Sequence, residues 1–568
     1  MKRMWLTTTL VMCGLVQAAV GWNTASADDK AKGAELLPKD TLIFLTVPSV
    51  REAKEQFEKS LSGALLNDKE LKPFLDDVTA KIGEFSEQWR DDIGVSISEL
   101  LALPQGEITF ALLHASERKL APLLLMDYGD GNDTVEKLLK KMHDALDGDL
   151  AEHSIEEVDD IKIHVYTFKN HQQGNPFKTL AYFNNEKSLV FSTEVTALKK
   201  VIERWDGKND DTLANNAVFK YIQDQCHDDS GEPSVVWFLN PIGLIQAGVN
   251  IVQTLSPQSG AGMALVVIPI LGIDKLKGFG GASFGGSGDF DAVSKSFLYA
   301  EQPTGVLNVF LFPATELTPP KWVSADVGAY MGLNWNFAKA YQTVEGLMDT
   351  YLGRGELAKR MDQIANSDNW FGIHPKKDII DSLDGRFHII QRLDTQDDTS
   401  ITQQVLIALE VKDEAKVKKI LSKVAKSEDS PLETREFNGE TIYEVGEDSL
   451  CFAVTSGQLV ITNDVPALEG MLRTERQPSL VDSPAYRNVA KHFPAKTSMV
   501  AYQRSDAQLE AVYDMLKNAD TQFIDGIDFK KLPSFEVIKK YLRPSGFYLV
   551  PDKKGVLSVS FQLSEGDR

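Results

Sequence analysis

Hydrophobic and polar residues alternate along many short runs of this chain, and longer runs with a helical period separate them. The alternating runs come in neighbouring pairs joined by short turns, as at 107–114 with 123–128 and 178–183 with 189–193. Such pairs predict antiparallel strands. Amphipathic runs at 134–146 and 196–205 predict helices that cover one face of the sheet. The pattern therefore predicts an α+β fold with largely antiparallel sheets.

One part of this pattern occurs twice. The segment 188–198 (SLVFSTEVTAL) recurs as 458–468 (QLVITNDVPAL), 270 residues later and without a gap. Both predict an apolar strand, an acidic helix start at Glu194 or Asp464, and a helix. Other landmarks follow in the same order, including hairpin turns after Val158 and Phe437 and closing strands at Gly305 and Gly555. The repeat predicts two diverged copies of one unit.

The repeat and the flanking composition set the expected domain organisation. We expect a signal peptide at 1–27, a first α+β repeat at 28–313, a linker at 314–324 and a second α+β repeat at 325–568. The linker contains PATELTPP, a composition typical of a stiff, exposed connection. Each repeat is expected to be a largely antiparallel sheet with helices packed on one face.

The first residues have the three parts of a secretory signal peptide. Lys2 and Arg3 precede an uncharged apolar run at 6–21, and Ala25-Ser-Ala27 is a small-residue cleavage site. The run is shorter than the ~20 residues of a membrane span. Cys13 follows Met12, where a lipoprotein signal needs a small residue. The sequence predicts export to the bacterial periplasm or beyond the cell.

Charge and cysteine content limit the possible partners. Without Lys2 and Arg3, the chain has 58 basic and 82 acidic residues, a net charge of −24. Such a surface repels nucleic acid and anionic lipid. The mature chain retains only Cys226 and Cys451, too few for a disulfide framework. We expect both to be buried free thiols that are not bonded to each other.

Both ends of the mature chain resemble a known family. The opening 36–48 (LLPKDTLIFLTVP) leads into a helix that ends near 65–68, and the closing segment 531–541 (KLPSFEVIKKY) precedes the strand at Gly555. These segments resemble large exported bacterial proteins that are classed only as a domain of unknown function. The resemblance implies an exported α+β fold and supplies no catalytic residues.

The clearest catalytic motif is GASFG at 281–285, which matches the nucleophile elbow of serine hydrolases. That motif needs a strand before the serine and a helix after it. Here a turn and a returning strand at 292–299 follow, which favours a glycine-rich β-hairpin. The alternative is a serine hydrolase that uses Ser283 with His227 or His164.

Metal and nucleotide motifs are weaker. Asp127, Asp130 and Asp133 resemble a calcium loop, but Leu138 occupies the twelfth position, where an EF-hand has glutamate. A strand-to-helix turn capped by Asp133 or Asn132 explains the same residues. The nine histidines show no zinc-binding spacing, and no Walker loop is present. We expect no metal and no cofactor.

The most distinctive segment is 233–273, which has no charged residue in 41 positions of a chain that is 25% charged. The corresponding stretch of the second copy, 504–528, is rich in charge. Burial between the two copies would explain the segment. The alternative is an exposed apolar surface for a protein partner, a lipid or an apolar ligand.

Together these features favour a non-enzymatic exported protein that works by binding or structural association. No nucleophile, base and orienting group occur together in a recognisable context. Polar positions that the copies share, such as Glu194 and Asp464, are explained as helix starts. Ser283 hydrolase chemistry is the alternative.

The signal peptide makes a direct prediction about the mature chain. Signal peptidase should cleave after Ala27 and leave Asp28 as the first residue. Mass spectrometry of the N-terminal peptide from protein of the envelope fraction will measure this. A chain that begins at Cys13 and carries a lipid mass would contradict it.

Overall fold

The structure is a computed structural model, and its described residues form two compact units. It describes residues 33–93, 102–116, 119–148, 150–169, 178–229, 231–310, 312–367, 370–397, 400–428, 430–446, 450–473, 478–518 and 528–564. The expected signal peptide at 1–27, the expected start at Asp28 and the landmark Gly94 lie outside them. The first unit contains residues 33–266, 276–299 and 528–532, and the second contains 267–275, 300–518 and 533–564.

Unit 1 alternates strands and helices along the chain. Its strands are β1 Ile43–Val47, β2 Ile108–Ser116, β3 Lys119–Asp127, β4 Ala151–Val158, β5 Ile161–Phe168, β6 Thr179–Asn185, β7 Ser188–Ser192, β8 Val235–Leu239, β9 Leu276–Ser287 and β10 Phe290–Ala300. Its helices are α1 Gly33–Leu36, α2 Val50–Lys59, α3 Leu61–Leu66, α4 Lys72–Ile93, α5 Asn132–Leu146, α6 Val195–Ile202, α7 Ala217–Cys226, α8 Pro241–Leu255 and α9 Gly262–Ile270, the last of which continues into unit 2. Short 3₁₀ turns lie at Leu213–Asn215 and Phe529–Lys531.

The strands of unit 1 are ordered β10-β9-β8-β1-β2-β3-β7-β6-β5-β4. Every pairing with a defined register is antiparallel. Strand β1 lies inside the sheet, where Thr46 faces Thr109 of β2 on one side and Val236 of β8 on the other. Its side chains alternate between half-buried and buried, as expected for a strand with two different faces.

Unit 2 has the same kinds of element. Its strands are β11 Ala329–Asn334, β12 Leu383–Asp397, β13 Ser400–Val411, β14 Leu432–Phe437, β15 Glu440–Val445, β16 Leu450–Thr455, β17 Gln458–Thr462, β18 Met499–Gln503, β19 Ser545–Asp552 and β20 Gly555–Leu563. Its helices are α10 Phe337–Leu352, α11 Glu356–Ala365, α12 Glu414–Ala425, α13 Val465–Leu472, α14 Pro484–Ala490, α15 Ser505–Asn518 and α16 Phe535–Lys539. It has 3₁₀ turns at Ile273–Lys275, Gly305–Phe310, Ile380–Ser382 and Leu480–Asp482, and a π turn at Pro375–Ile379.

The strands of unit 2 are ordered β20-β19-β18-β11-β12-β13-β17-β16-β15-β14. This is the order of unit 1, strand for strand. The tight turns also agree, because left-handed residue pairs occur at 159–160 and 438–439 and again at 186–187 and 456–457. Two left-handed residues in a two-residue turn match the twist of a β-hairpin. The expected α+β content and antiparallel pairing are confirmed.

Helices cover both faces of the sheet in each unit, so the expected packing on one face is wrong. In unit 1, α5 packs on Tyr166 and Tyr182. On the opposite face of the β4–β5 hairpin, Nζ of Lys199 on α6 lies 2.7 Å from Oε2 of Glu156. In unit 2, α12 packs on Val454, and Glu469 of α13 pairs with Arg435 on the other face. Both faces are apolar enough to bury, because strands such as β6 place buried residues on each side.

The closing strand expected at Gly305 is also wrong. Residues Gly305–Phe310 form a 3₁₀ turn, and the last strand of unit 1 is β10, which ends at Ala300. Gly305 has a left-handed φ of +55°, and a Cβ there would lie 2.1 Å from the Leu271 carbonyl oxygen. The apolar residues after Gly305 have the pattern of a strand, but the left-handed conformation of Gly305 is incompatible with an extended strand at this position.

Two smaller expectations concern the cysteines and residues 314–324. Cys226 and Cys451 are free and buried, as expected. Burial raises the pKa of the Cys226 thiol to about 12. Within 314–324, Thr315 and Ser324 form bridges to Thr497 and Ser479, and Val323 is 2% exposed. Residues 314–324 therefore pack against other residues of unit 2.

Candidate functional site

The uncharged segment 233–273 forms strand β8 and then the helices α8 and α9. Helix α8 begins sharply, because Asn240 accepts a hydrogen bond from Gly243 N at 2.9 Å and Pro241 occupies the first turn. It ends at Leu255, just before Ser256-Pro257. Helix α9 starts at Gly262, where a Cβ would lie 2.1 Å from the Gln253 side chain of α8. The two helices therefore lie close together where they are joined.

Both helices expose an apolar stripe. On α8, Ile245, Val252 and Leu255 are 36%, 44% and 78% exposed, and their spacing of seven and three residues puts them on one side of the helix. On α9, Met263 and Val266 are 66% and 57% exposed and lie one turn apart. The segment is therefore not wholly buried. We call residues 241–266 the apolar hairpin.

The other side of each helix is buried. Gly243 and Ala247 of α8 and Ile268 of α9 are buried there, and Val249, which lies between Ile245 and Val252 on the exposed side of α8, is buried as well. Neither helix carries a charged residue, whereas the outer side of an ordinary surface helix is charged. Among the described residues, no helix combines the length and apolar character needed to cross a membrane. The exposed stripes place uncharged hydrophobic side chains in contact with solvent.

Ser283 does not lie on a nucleophile elbow. It lies within β9, opposite Val235 of β8, and β9 turns directly into β10. Its Oγ lies 2.9 Å from the Ser294 hydroxyl on β10. A strand on both sides of the serine gives the glycine-rich hairpin, whereas the elbow needs a helix after the serine.

The two histidines proposed beside Ser283 have other partners. His227 ends α7, where its carbonyl oxygen accepts a hydrogen bond from Lys295 and its Nε2 lies 3.3 Å from Asp229. His164 contacts His153 on β4. The described geometry therefore provides Ser283 with a serine neighbour and no base.

The aspartate loop is a turn between β3 and α5. Asp127 accepts a hydrogen bond from Gly129 N at 2.9 Å, and Asp130 pairs with Lys187 at 2.8 Å. Lys187 lowers the pKa of the Asp130 carboxyl through this hydrogen bond and its charge. Gly131 precedes the helix as its N-cap without a side-chain bond, so the expected caps at Asn132 and Asp133 are wrong. Across the described residues, no group of three or more histidine, cysteine or acidic side chains could hold a metal ion.

The structure brings together three histidines that the sequence did not connect. His153 Nε2 of β4 lies 3.1 Å from His164 Nδ1 of β5, and the ring of His143 on α5 lies 4.9 Å from that of His153. His143 Nδ1 lies 3.0 Å from the hydroxyl of Tyr166, and His164 stacks on Tyr182 at 4.9 Å. We call these five side chains the histidine cluster.

Burial and neighbouring charge perturb the histidine cluster. The pKa of His164 is lowered by burial first and then by the charges of His153 and His143. Burial raises the pKa of Tyr166 and of Tyr182. Burial therefore favours the neutral forms of His164, Tyr166 and Tyr182.

Unit 2 has no such cluster at the same positions of its sheet. Counting from the matching hairpin turns, His153 corresponds to Leu432 and His164 to Tyr443, and Tyr182 corresponds to Phe452. The sequence contained one signal for the cluster. A hairpin closing at Asp159-Asp160 puts His153 opposite Tyr166, two residues from His164.

One family model matches part of the chain. A family described as a protein of unknown function (DUF3352) matches residues 376–527. This segment contains β12 to β18 of unit 2. The expected resemblance to a domain of unknown function is confirmed in this general form, and the segments 36–48 and 531–541 that suggested it lie outside the match. No curated protein and no solved structure matches the chain.

The position of Ser283 predicts a purely structural role. Ser283→Ala and Ser294→Ala should each lower the free energy of unfolding by about 1 kcal/mol or less, because each removes the same hydroxyl contact. The double variant should cost no more than either single one. Chemical denaturation will measure this.

A fluorophosphonate probe tests the hydrolase alternative on the same variants. We expect no labelling of the native chain. Labelling that Ser283→Ala abolishes and Ser294→Ala retains would show a reactive serine and contradict the structural role.

Proposed function

We propose that this protein is exported and non-enzymatic, and that it works by self-association through the apolar hairpin. The signal-peptide features of 1–27 support export. The placement of Ser283 and the aspartates in ordinary turns and strands supports a non-enzymatic role. The observation that carries the proposal is the exposed, uncharged surface of α8 and α9.

An exposed aliphatic stripe is a source of binding free energy. Removing a side chain such as Leu255 or Val266 from water contributes about 1.5–3 kcal/mol. Association costs about 4–15 kcal/mol of lost freedom, so several such side chains must be covered together. The apolar hairpin exposes five of them, and none has a charged neighbour within 233–273.

A second copy of the chain is the occupant that this surface fits best. Two copies, each with a net charge near −24, repel each other, and they approach at least cost where no charge is present. Homodimer interfaces are also more apolar than those of transient complexes, which use aromatic and arginine anchors. The large exposed hydrophobic residues of the apolar hairpin are aliphatic or methionine, and its exposed polar residues carry no charge.

A lipid surface fits less well. Interfacial helices bind membranes through lysine or arginine beside an apolar face. The apolar hairpin has neither residue, and the acidic chain is repelled by anionic lipid.

We also propose that the chain contains two diverged copies of one unit, at 28–313 and 325–568, joined by 314–324. The common strand order and the left-handed turn pairs at matching positions support this. The 270-residue offset between 188–198 and 458–468 agrees with the register of β6 with β7 and of β16 with β17.

The duplication makes a prediction about relatives of this chain. Aligned sequences of the first copy should match those of the second at this 270-residue offset, with apolar residues at the positions of Val190 and Val460 in both. These two valines are fully buried at equivalent positions. Profile comparison of the two halves measures the match, and two profiles no more alike than unrelated α+β domains would contradict it.

Self-association predicts a dimer of residues 28–568. Leu255→Glu combined with Met263→Glu should weaken the dimer at least tenfold, since each change adds a charge to a covered apolar surface. Higher salt should strengthen the wild-type dimer, because it screens repulsion between acidic copies. Sedimentation of a dilution series will measure both effects.

Leu352→Glu is the matched control. Leu352 is also the last residue of an exposed helix, α10, and is 53% exposed. This variant should dimerise like the wild type. A monomer at every concentration would contradict the proposal. Binding to neutral lipid vesicles that the double variant abolishes would assign the surface to lipid instead.

A further inference from the structure

We propose that the histidine cluster is a pH-sensitive latch, which holds the β4–β5 hairpin against α5 while its imidazoles are neutral and releases it when they are protonated. Three elements meet here through three imidazole side chains. His143 comes from α5, His153 from β4 and His164 from β5. This proposal is independent of self-association.

The contact between His153 and His164 exists in only some protonation states. Nε2 of His153 and Nδ1 of His164 are 3.1 Å apart, a hydrogen-bond distance. One nitrogen must carry the proton and the other must accept it. If both rings are protonated, both nitrogens are donors and both rings are positive. The hydrogen bond is then replaced by repulsion.

The described charges around the cluster include one acidic partner of a histidine and two lysines. On α5, Asp147 lies 3.7 Å from His143 Nε2, and Lys140 lies one turn earlier. On the hairpin, Glu157 is paired in register with Lys162, whose charge disfavours protonation of His164. Tyr166 and Tyr182 contribute neutral hydroxyls. Among the described ion pairs, the one between Asp147 and His143 reaches the cluster, so further protonation of the imidazoles adds positive charge without a paired carboxylate there.

The direction of the effect follows from the hydrogen bond and agrees with the lowered pKa of His164. A base with a lowered pKa in the closed state binds protons more readily when the state opens. The closed state is thus fully stable above the ordinary histidine pKa of about 6.5 and weakens as pH falls below it. In an exported protein, this pH is set by the medium outside the cytoplasm.

Hydrogen exchange of residues 28–568 tests the latch at about pH 7.5 and about pH 5.5, on either side of the ordinary histidine pKa. After correction for intrinsic rates, protection of 151–168 should fall several-fold at the lower pH, because the open hairpin binds protons more readily than the closed one. The β14–β15 hairpin at 432–445 is the internal control. It has Leu432 and Tyr443 at the corresponding positions and should change less than about twofold.

The residues of unit 2 at the corresponding positions define a variant that should lack the latch. His153→Leu combined with His164→Tyr gives β4 and β5 the residues of unit 2 and should remove the pH dependence at 151–168. His227→Gln, at a 70% exposed histidine outside the cluster, should retain it.

Three results would overturn the latch. They are equal pH responses of the two hairpins in the wild type, persistence of the response in the double variant, and a response that a chelator abolishes. The last result would identify a metal site. The comparison of the two hairpins needs no variant, so it decides the question even if the double variant does not fold.

Discussion

Each unit depends on the register of its first strand, which is paired along both edges. Strand β1 lies between β2 and β8, and β11 lies between β12 and β18. Because side chains alternate, a slip of one residue would turn Phe44 or Tyr330 away from the core, and each is 1% exposed. Phe44 contacts Phe219 of α7 edge to face, and the Tyr330 hydroxyl lies 3.0 Å from His388 Nδ1. The central register therefore determines which residues the helices can cover.

Local signals in the sequence predicted the strands and their partners well. Alternation predicted the pairing of β2 with β3 and of β6 with β7. The turn residues at 159–160 and 438–439 close the β4–β5 and β14–β15 hairpins in left-handed conformations. The sequence failed where the outcome depends on distant contacts. The apolar run after Gly305 looked like a strand, but the glycine backbone packs against Leu271 and turns. The sequence did not predict helices on both faces of the sheet. An alternating pattern indicates one buried face, whereas β6 is buried on both faces.

The sequence predicted the uncharged segment 233–273 but not the histidine cluster, for the same reason. The absence of charge over 233–273 is a property of one continuous segment, so it can be recognised from the sequence without knowledge of the fold. The histidine cluster joins residues from a helix and two strands. Hairpin register relates His153 to Tyr166 and His164, but only tertiary packing brings His143 of α5 to them. Side chains that meet through packing leave no common spacing in the sequence.

The differences between the units are informative because their strand order is the same. Backbone hydrogen bonds hold that order, so side chains can change without altering it. The position of α8 is taken in unit 2 by α15, which carries Asp506, Glu510 and Lys517. The positions of His153 and His164 are taken by Leu432 and Tyr443. Leucine and tyrosine carry no charge at ordinary pH, so they pack a hairpin without pH dependence. A charged helix such as α15 can remain exposed to water. Stability alone therefore requires neither the histidines nor the uncharged surface, and both lie in unit 1.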